Sequence, residues 1–421
     1  MLSIARRRAL LSAGAAVALG LLPALLPGTA AVADSVSQQQ QWVFQMMDVP
    51  AAWNITRGHG VVVAVLDSGV DGNVSDLKGN VRGGNIDYTR LTTKPSDPNW
   101  GLHGTWMASI IAGHGSDSEG DGVTGVAPEA TILSIRVIPD MQDPGYRNYD
   151  RERETRIQGE LADGIRTAVM DGAKVISMSI GYSAPSRAVR SAIQYAYSRG
   201  VVLVASSGNS GDNDTQHSHT RNLAPVSFPA EYPGVISVGA VQQGGTPTTF
   251  SSGNLSVKVA APGKKVPAQG RSGQYYTVDG TSPACALVAG VAALIESAYP
   301  RISPALVTEA LTSTAQQDPP GGGYDVLTGF GIVDADAALK AARGLMAEHP
   351  AKSQVPLTAH FGGGTAAQPA APVGPRSTGG LIGYLVLLAV SGVAVLCGGV
   401  VLLLTRRRND DRVATMTGQR G

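Results

Sequence analysis

Between about Gln40 and Ala347 the chain alternates short runs rich in Val and Ile with stretches of helical periodicity, without an internal repeat. The runs are Val61–Leu66, Thr131–Val137, Lys174–Ser179, Val201–Ala205, Val235–Val241 and Val257–Ala260, bounded by Gly, Pro or Ser. Near-continuous apolar runs of this length belong to strands buried on both faces, and such strands pair in parallel through helical crossovers. The helices expected between them are His103–Ala112, Gly159–Asp171, Arg187–Arg199, Ser282–Tyr299 and Pro304–Ser313. The pattern predicts an α/β domain with a mostly parallel, twisted sheet and helices on both faces.

Both ends depart from this pattern. Residues 1–33 carry Arg6-Arg7-Arg8, an apolar run broken by Pro23 and Pro27, and Ala31-Val32-Ala33, which together predict a cleaved signal peptide. Residues 348–380 are rich in Gly, Ala, Pro, Ser and Thr and predict a linker. The uncharged stretch Leu381–Leu404 would extend ~36 Å as a helix, enough to cross a hydrocarbon core of ~30 Å. Arg406-Arg407-Arg408 behind it predicts a cytoplasmic tail at 405–421 and an outward-facing domain at 58–347, preceded by a short extension at 34–57. The partners expected at this level are a lipid bilayer and no nucleic acid, because a net charge of +1 provides no clustered basic surface. Of the two cysteines, Cys397 falls in the apolar stretch, which leaves Cys285 without an intradomain disulfide partner.

Four loops carry residues suited to chemistry, each also open to an ordinary structural role. Val63-Ala64-Val65-Leu66-Asp67-Ser68-Gly69 delivers a carboxylate to a strand's C-terminal end, where open α/β sheets place their sites; capping of a turn explains Asp67 equally well. Leu102-His103-Gly104-Thr105-Trp106 puts a histidine at a helix start, where caps and packing residues are also common. In Asp279-Gly280-Thr281-Ser282-Pro283, Ser282 stands at the mouth of a long helix, as an N-cap or as a nucleophile whose oxyanion would meet the first N–H groups. Val204-Ala205-Ser206-Ser207-Gly208-Asn209 ends a strand in a Gly-Asn turn, conformationally apt by itself or a source of a side-chain amide for that oxyanion.

Taken together, and in this order, the four segments resemble the subtilase family, over roughly Gln41 to Ala342. Gly125-Val126-Ala127-Pro128, Ser179-Ile180-Gly181, Phe228-Pro229-Ala230 and Thr328-Gly329-Phe330-Gly331 resemble its framework segments. The resemblance implies a serine endopeptidase with Asp67, His103 and Ser282 as catalytic residues and Asn209 in the oxyanion hole. It further implies that Ser68 hydrogen-bonds the Asp67 carboxylate, and that Ser179, Ile180, Gly181, Ala205, Ser206, Ser207 and Gly208 grip an extended polypeptide substrate. No cofactor is implied; structural calcium occurs in many subtilases, but no residue pattern here indicates one. Trp106 stands where the family often has His, and Pro283, Ala286 and Leu287 also depart from its usual residues, without removing a proton-transfer partner. Pro139–Arg156 and Ser210–Ala224 read as insertions; His217 and His219 in the second read as a solvated pair, with no metal expected. Cys285 reads as a buried apolar residue.

The short extension leaves no room for a folded chaperone domain. Together with the linker, one span and a basic tail, it resembles the mycosins, subtilases of type VII secretion systems. That resemblance implies a secretion membrane complex as a further partner. The rival reading is a non-hydrolytic, peptide-binding or structural subunit of such a complex. For the topology, protease added to intact spheroplasts should degrade residues 60–340; their protection would contradict an outward-facing domain.

Overall fold

The computed structural model describes residues 35–348 apart from 98, 116–120, 151–152, 212–223 and 317–322, and also residue 400. The segment read as a signal peptide (1–33), the linker beyond residue 348, the apolar stretch 381–404 apart from residue 400, the tail, and His217 with His219 lie outside the described residues. In chain order the elements are α1 (Val36–Met46), α2 (Val49–Ala52), β1 (Val62–Asp67), β2 (Val81–Asp87), α3 (Leu102–Ala112), β3 (Thr131–Arg136), α4 (Tyr146–Asp150), α5 (Arg153–Met170), β4 (Val175–Met178), α6 (Arg187–Ser198), β5 (Val202–Ser206), β6 (Val235–Val241), β7 (Val257–Pro262), β8 (Val266–Gln269), β9 (Tyr275–Val278), α7 (Thr281–Ala298), α8 (Pro304–Ser313) and α9 (Ala335–Glu348).

The sheet runs β2-β3-β1-β4-β5-β6-β7, and all of its pairings are parallel. The expected apolar runs form its strands, with ends shifted by a residue or two. β2 and the β8–β9 hairpin are additions. Helix α5 starts at Arg153, inside the segment read as an insertion, and α4 lies wholly within that segment.

Two apolar layers sandwich the sheet. On one face α5 and α6 pack through Ile157, Leu161, Ile165, Val189 and Ile193; on the other, α7 packs against α3 and α9 in a core that α1, α2 and α8 share. Among the described residues α7 is the helix long and apolar enough to cross a membrane, but 83% of its apolar window is buried inside this domain. Its small residues, Ala284, Ala286, Ala289, Ala292 and Ala293, let the helix lie close against the strands.

The first described segment packs on this second layer. Val43, Phe44, Met47, Val49 and Ala52 join its core. Trp53 donates its indole N–H to the Val126 carbonyl at 2.8 Å, and the Met47 carbonyl accepts the Ala335 N–H at 2.7 Å. Fully burying a large apolar side chain is worth roughly 1.5–3 kcal/mol. Deleting residues 35–57 should therefore lower the melting temperature by more than ~5 °C; an unchanged melting temperature would show that these contacts add no stability.

Candidate active site

The C-terminal ends of β1, β4 and β5 and the start of α7 meet at a cleft of about 1160 Å³. Asp67 closes β1 and is 1% exposed, so its carboxylate needs donors to offset lost hydration. The Ser68 main-chain N–H supplies one at 2.6 Å, and His103 Nδ1 lies 2.8 Å from Oδ1 and 3.0 Å from Oδ2. The Ser68 hydroxyl does not take the expected role: it accepts the Gly104 N–H at 3.0 Å, so the main chain of residue 68 serves the carboxylate while its side chain holds the helix.

Gly104 is what permits this approach. A Cβ there would stand 2.1 Å from the Gly69 carbonyl oxygen and 3.3 Å from the Asp67 Cβ, so any side chain would push α3 away from β1. Helix α3 begins at Leu102 behind Gly101, which puts His103 in the first turn rather than at the cap. Burial pushes the imidazole's pKa down, but the Asp67 carboxylate, by charge and hydrogen bond, and the Asp140 carboxylate together hold it above the usual histidine value.

Ser282 also stands inside its helix. Gly280 is the N-cap of α7, so the Ser282 hydroxyl is not spent on capping. It turns toward the Ser179 carbonyl at 3.5 Å, while the Ser179 hydroxyl donates to the Ser282 carbonyl at 3.1 Å. No hydrogen bond joins Ser282 to His103 in this arrangement, although both line the cleft. Such contacts are often long before a substrate binds.

Asn209 lines the same cleft, and Thr281 fixes its orientation. The Thr281 N–H and hydroxyl both donate to Asn209 Oδ1 at 2.9 Å, and Thr281 Oγ1 accepts the Gly208 N–H at 3.2 Å. The amide oxygen is thereby occupied, which assigns the NH₂ to the other side. The absent Cβ of Gly280 would lie 3.4 Å from Asn209 Nδ2 and 3.6 Å from Ser282 N, so both donors flank space that a glycine leaves open. As a first-turn group, the Ser282 N–H has no intrahelical acceptor. Thr281 was not singled out from sequence; its place directly before Ser282 was the available signal.

Ser179, Ile180, Gly181, Ser206 and Gly208 line the cleft, together with Trp106, Asp140, Met141 and Ser227. Ala205 and Ser207 do not. Strand alternation turns them away from Ser206, and both side chains are fully buried behind the wall. Trp106 packs edge-on to His103 at 6.0 Å and against Tyr276 at 5.2 Å, so the residue that departs from the family pattern braces the imidazole against the β8–β9 hairpin. Cys285 is buried, and burial pushes its thiol up to about 11, far from a reactive thiolate. Among the described residues no group of three or more His, Cys, Asp and Glu side chains is gathered to hold a metal ion.

An Asp–His pair beside a helix-start serine on a parallel sheet defines a class, and comparison gives the family. Residues 58–332 match the peptidase S8 or subtilase family, and the chain belongs to it. It is a subtilisin-like serine protease by descent. It is 34% identical over 264 residues to thermitase of Thermoactinomyces vulgaris, covering 63% of this chain and 85% of that protein. It is 32% identical over 351 residues to mycosin-1 of Mycobacterium tuberculosis, covering 75% of each. A solved structure, the MycP3 protease from the type VII (ESX-3) secretion system, superposes with a TM-score of 0.58 at 30% identity, covering 71% of this chain and 87% of that one.

Because Thr281 holds the Asn209 amide by two bonds, Thr281→Val should keep the fold and lower turnover by about 10-fold with little change in KM, a fraction of the loss from removing an oxyanion donor outright. A loss confined to KM would contradict this role for the hydroxyl.

Proposed function

We propose that the protein is an extracytoplasmic serine endopeptidase, anchored by one transmembrane helix and acting beside a type VII secretion complex. The observation that carries the chemistry is the buried Asp67 carboxylate bonded to His103 Nδ1 in the cleft that also holds Ser282. Because Nδ1 is committed to Asp67, the free ring nitrogen of His103 is the one able to accept a proton.

In this reading the Ser282 side chain rotates from the Ser179 carbonyl toward His103. Its Oγ forms a bond to the scissile carbonyl carbon as its proton passes to the imidazole. Asn209 Nδ2 and the Ser282 N–H receive the developing oxyanion. The C–N bond then breaks, His103 returns the proton to the leaving amine, and an acyl-enzyme remains on Ser282. Water, giving a proton to His103, hydrolyses this ester and restores the hydroxyl. The chemistry calls for no cofactor. Ser179–Gly181 on one wall, and Ser206 with Gly208 on the other, would hold the polypeptide extended.

The membrane and secretion parts rest on sequence and kinship. The apolar stretch 381–404 with Arg406–Arg408 behind it supports a single span with the tail in the cytoplasm. The likeness to mycosin-1 and to the MycP3 protease of a type VII secretion system supports the secretion setting.

A fluorophosphonate reacts only with an activated serine, so it separates an enzyme from a non-hydrolytic subunit. The wild-type chain should be labelled at Ser282, and Ser282→Ala should lose both labelling and peptide hydrolysis while melting as the wild type does. Hydrolysis near the wild-type rate in that variant would refute the assignment. Asn209→Ala should cut kcat by about 10²–10³ with a small change in KM, a magnitude measured on subtilisin itself and carried over here; a pure affinity loss would contradict the oxyanion role.

A further inference from the structure

The chemistry proposed above makes no use of the segment 139–156, yet the first turn of that segment reaches the site. Asp140 is 8% exposed, lines the cleft, and accepts the His103 main-chain N–H on Oδ2 at 2.8 Å. Helix α3 needs that acceptor, because its N-cap, Gly101, has no side chain to meet the first-turn N–H groups. The cap therefore comes from another loop.

That loop is tied to the sheet. Asp140 Oδ1 accepts the Gln142 N–H at 3.2 Å, and its carbonyl accepts the Asp143 N–H at 3.0 Å, closing a turn. Asp143 Oδ2 accepts Arg136 Nη2 at 2.7 Å, and both of these side chains are fully buried. Arg136 ends β3 directly opposite Asp67 on β1, and its other arm donates to Asp87 on β2 at 2.7 Å. Two carboxylates thus converge on His103 from adjacent strand ends: Asp67 on the ring, Asp140 on the main chain.

We propose that Asp140 is a positioning residue for catalysis: it caps α3 to fix the place of His103, and its charge favours the imidazolium formed when Ser282 attacks. The proposal rests on His103 being the general base. Among the described residues the charges that act on the imidazole are Asp67, bonded to Nδ1, and Asp140, held at the His103 main-chain N–H. A negative neighbour favours the protonated ring, so removing it lets the ring lose its proton at lower pH. A purely structural cap would change the amount of active enzyme without moving that titration.

The test uses the full-length protein in membranes and follows the rate of Ser282 labelling by a fluorophosphonate as a function of pH. Asp140→Asn keeps an oxygen to accept the His103 N–H and removes the charge. Its acid limb should move to lower pH, so that well below the wild-type midpoint it labels about 3-fold faster relative to its own plateau. Asp140→Ala loses the acceptor as well and should show the same displacement, with a plateau lowered by ~10-fold as His103 shifts. Acid limbs that superimpose on the wild-type limb would overturn this proposal while leaving the catalytic reading intact. A wild-type chain that is not labelled at Ser282 would overturn both.

Discussion

A carboxylate buried to 1% exposure is tolerable only if the chain brings donors to it, and much of the site follows from meeting that demand at Asp67. The Ser68 N–H is local, but the second donor must come from another element. Helix α3 supplies it, and can do so because residue 104 lacks a side chain and the Ser68 hydroxyl grips the Gly104 N–H. The imidazole is consequently fixed at Nδ1 and left with one nitrogen facing the cleft. Trp106, one turn further along α3, closes the other side of the ring against the hairpin.

Helix α7 sets the other half. Buried on nearly every side, it is a poor place for polar groups, and those it carries sit toward its ends. Thr281 and Ser282 at the start meet Asn209, Gly208 and Ser179. Glu296 near the far end has an unpartnered carboxyl oxygen, and burial pushes its pKa up to about 8. Neutralisation makes that burial possible. Packing thus joins the apolar rod that stabilises the domain to the point where the nucleophile and its backbone donor stand.

The features legible in the sequence were those encoded locally. β-branched runs buried on both faces marked β1 and β3–β7, and the segments around Asp67, His103, Asn209 and Ser282 were identifiable because each lies at the end of such a run or the mouth of a helix. β2 escaped because Val81–Asp87 is a largely exposed edge strand with two glycines, lacking the apolar signal of its neighbours. Helix α1, with four consecutive glutamines, is too polar to announce itself, and only Gln40, Val43 and Phe44 are buried along it. The sequence places Ala205 and Ser207 among the residues that grip the substrate because a strand's alternation is invisible until its register is known. The contributions of Thr281 and Asp140 depend on partners 72 and 37 residues away, and no local pattern encodes such pairings.

In the proposed mechanism Asp67, His103, Asn209 and Ser282 act on one carbonyl. A crystal structure of the protein after reaction with a peptidyl phosphonate, which mimics the tetrahedral intermediate, would show whether they do. Phosphorus should be bonded to Ser282 Oγ, with a phosphoryl oxygen about 2.7–3.1 Å from both Asn209 Nδ2 and Ser282 N and His103 within hydrogen-bonding reach of Oγ while still bonded to Asp67. A phosphoryl oxygen pointing away from Asn209, or an adduct on any other residue, would contradict it.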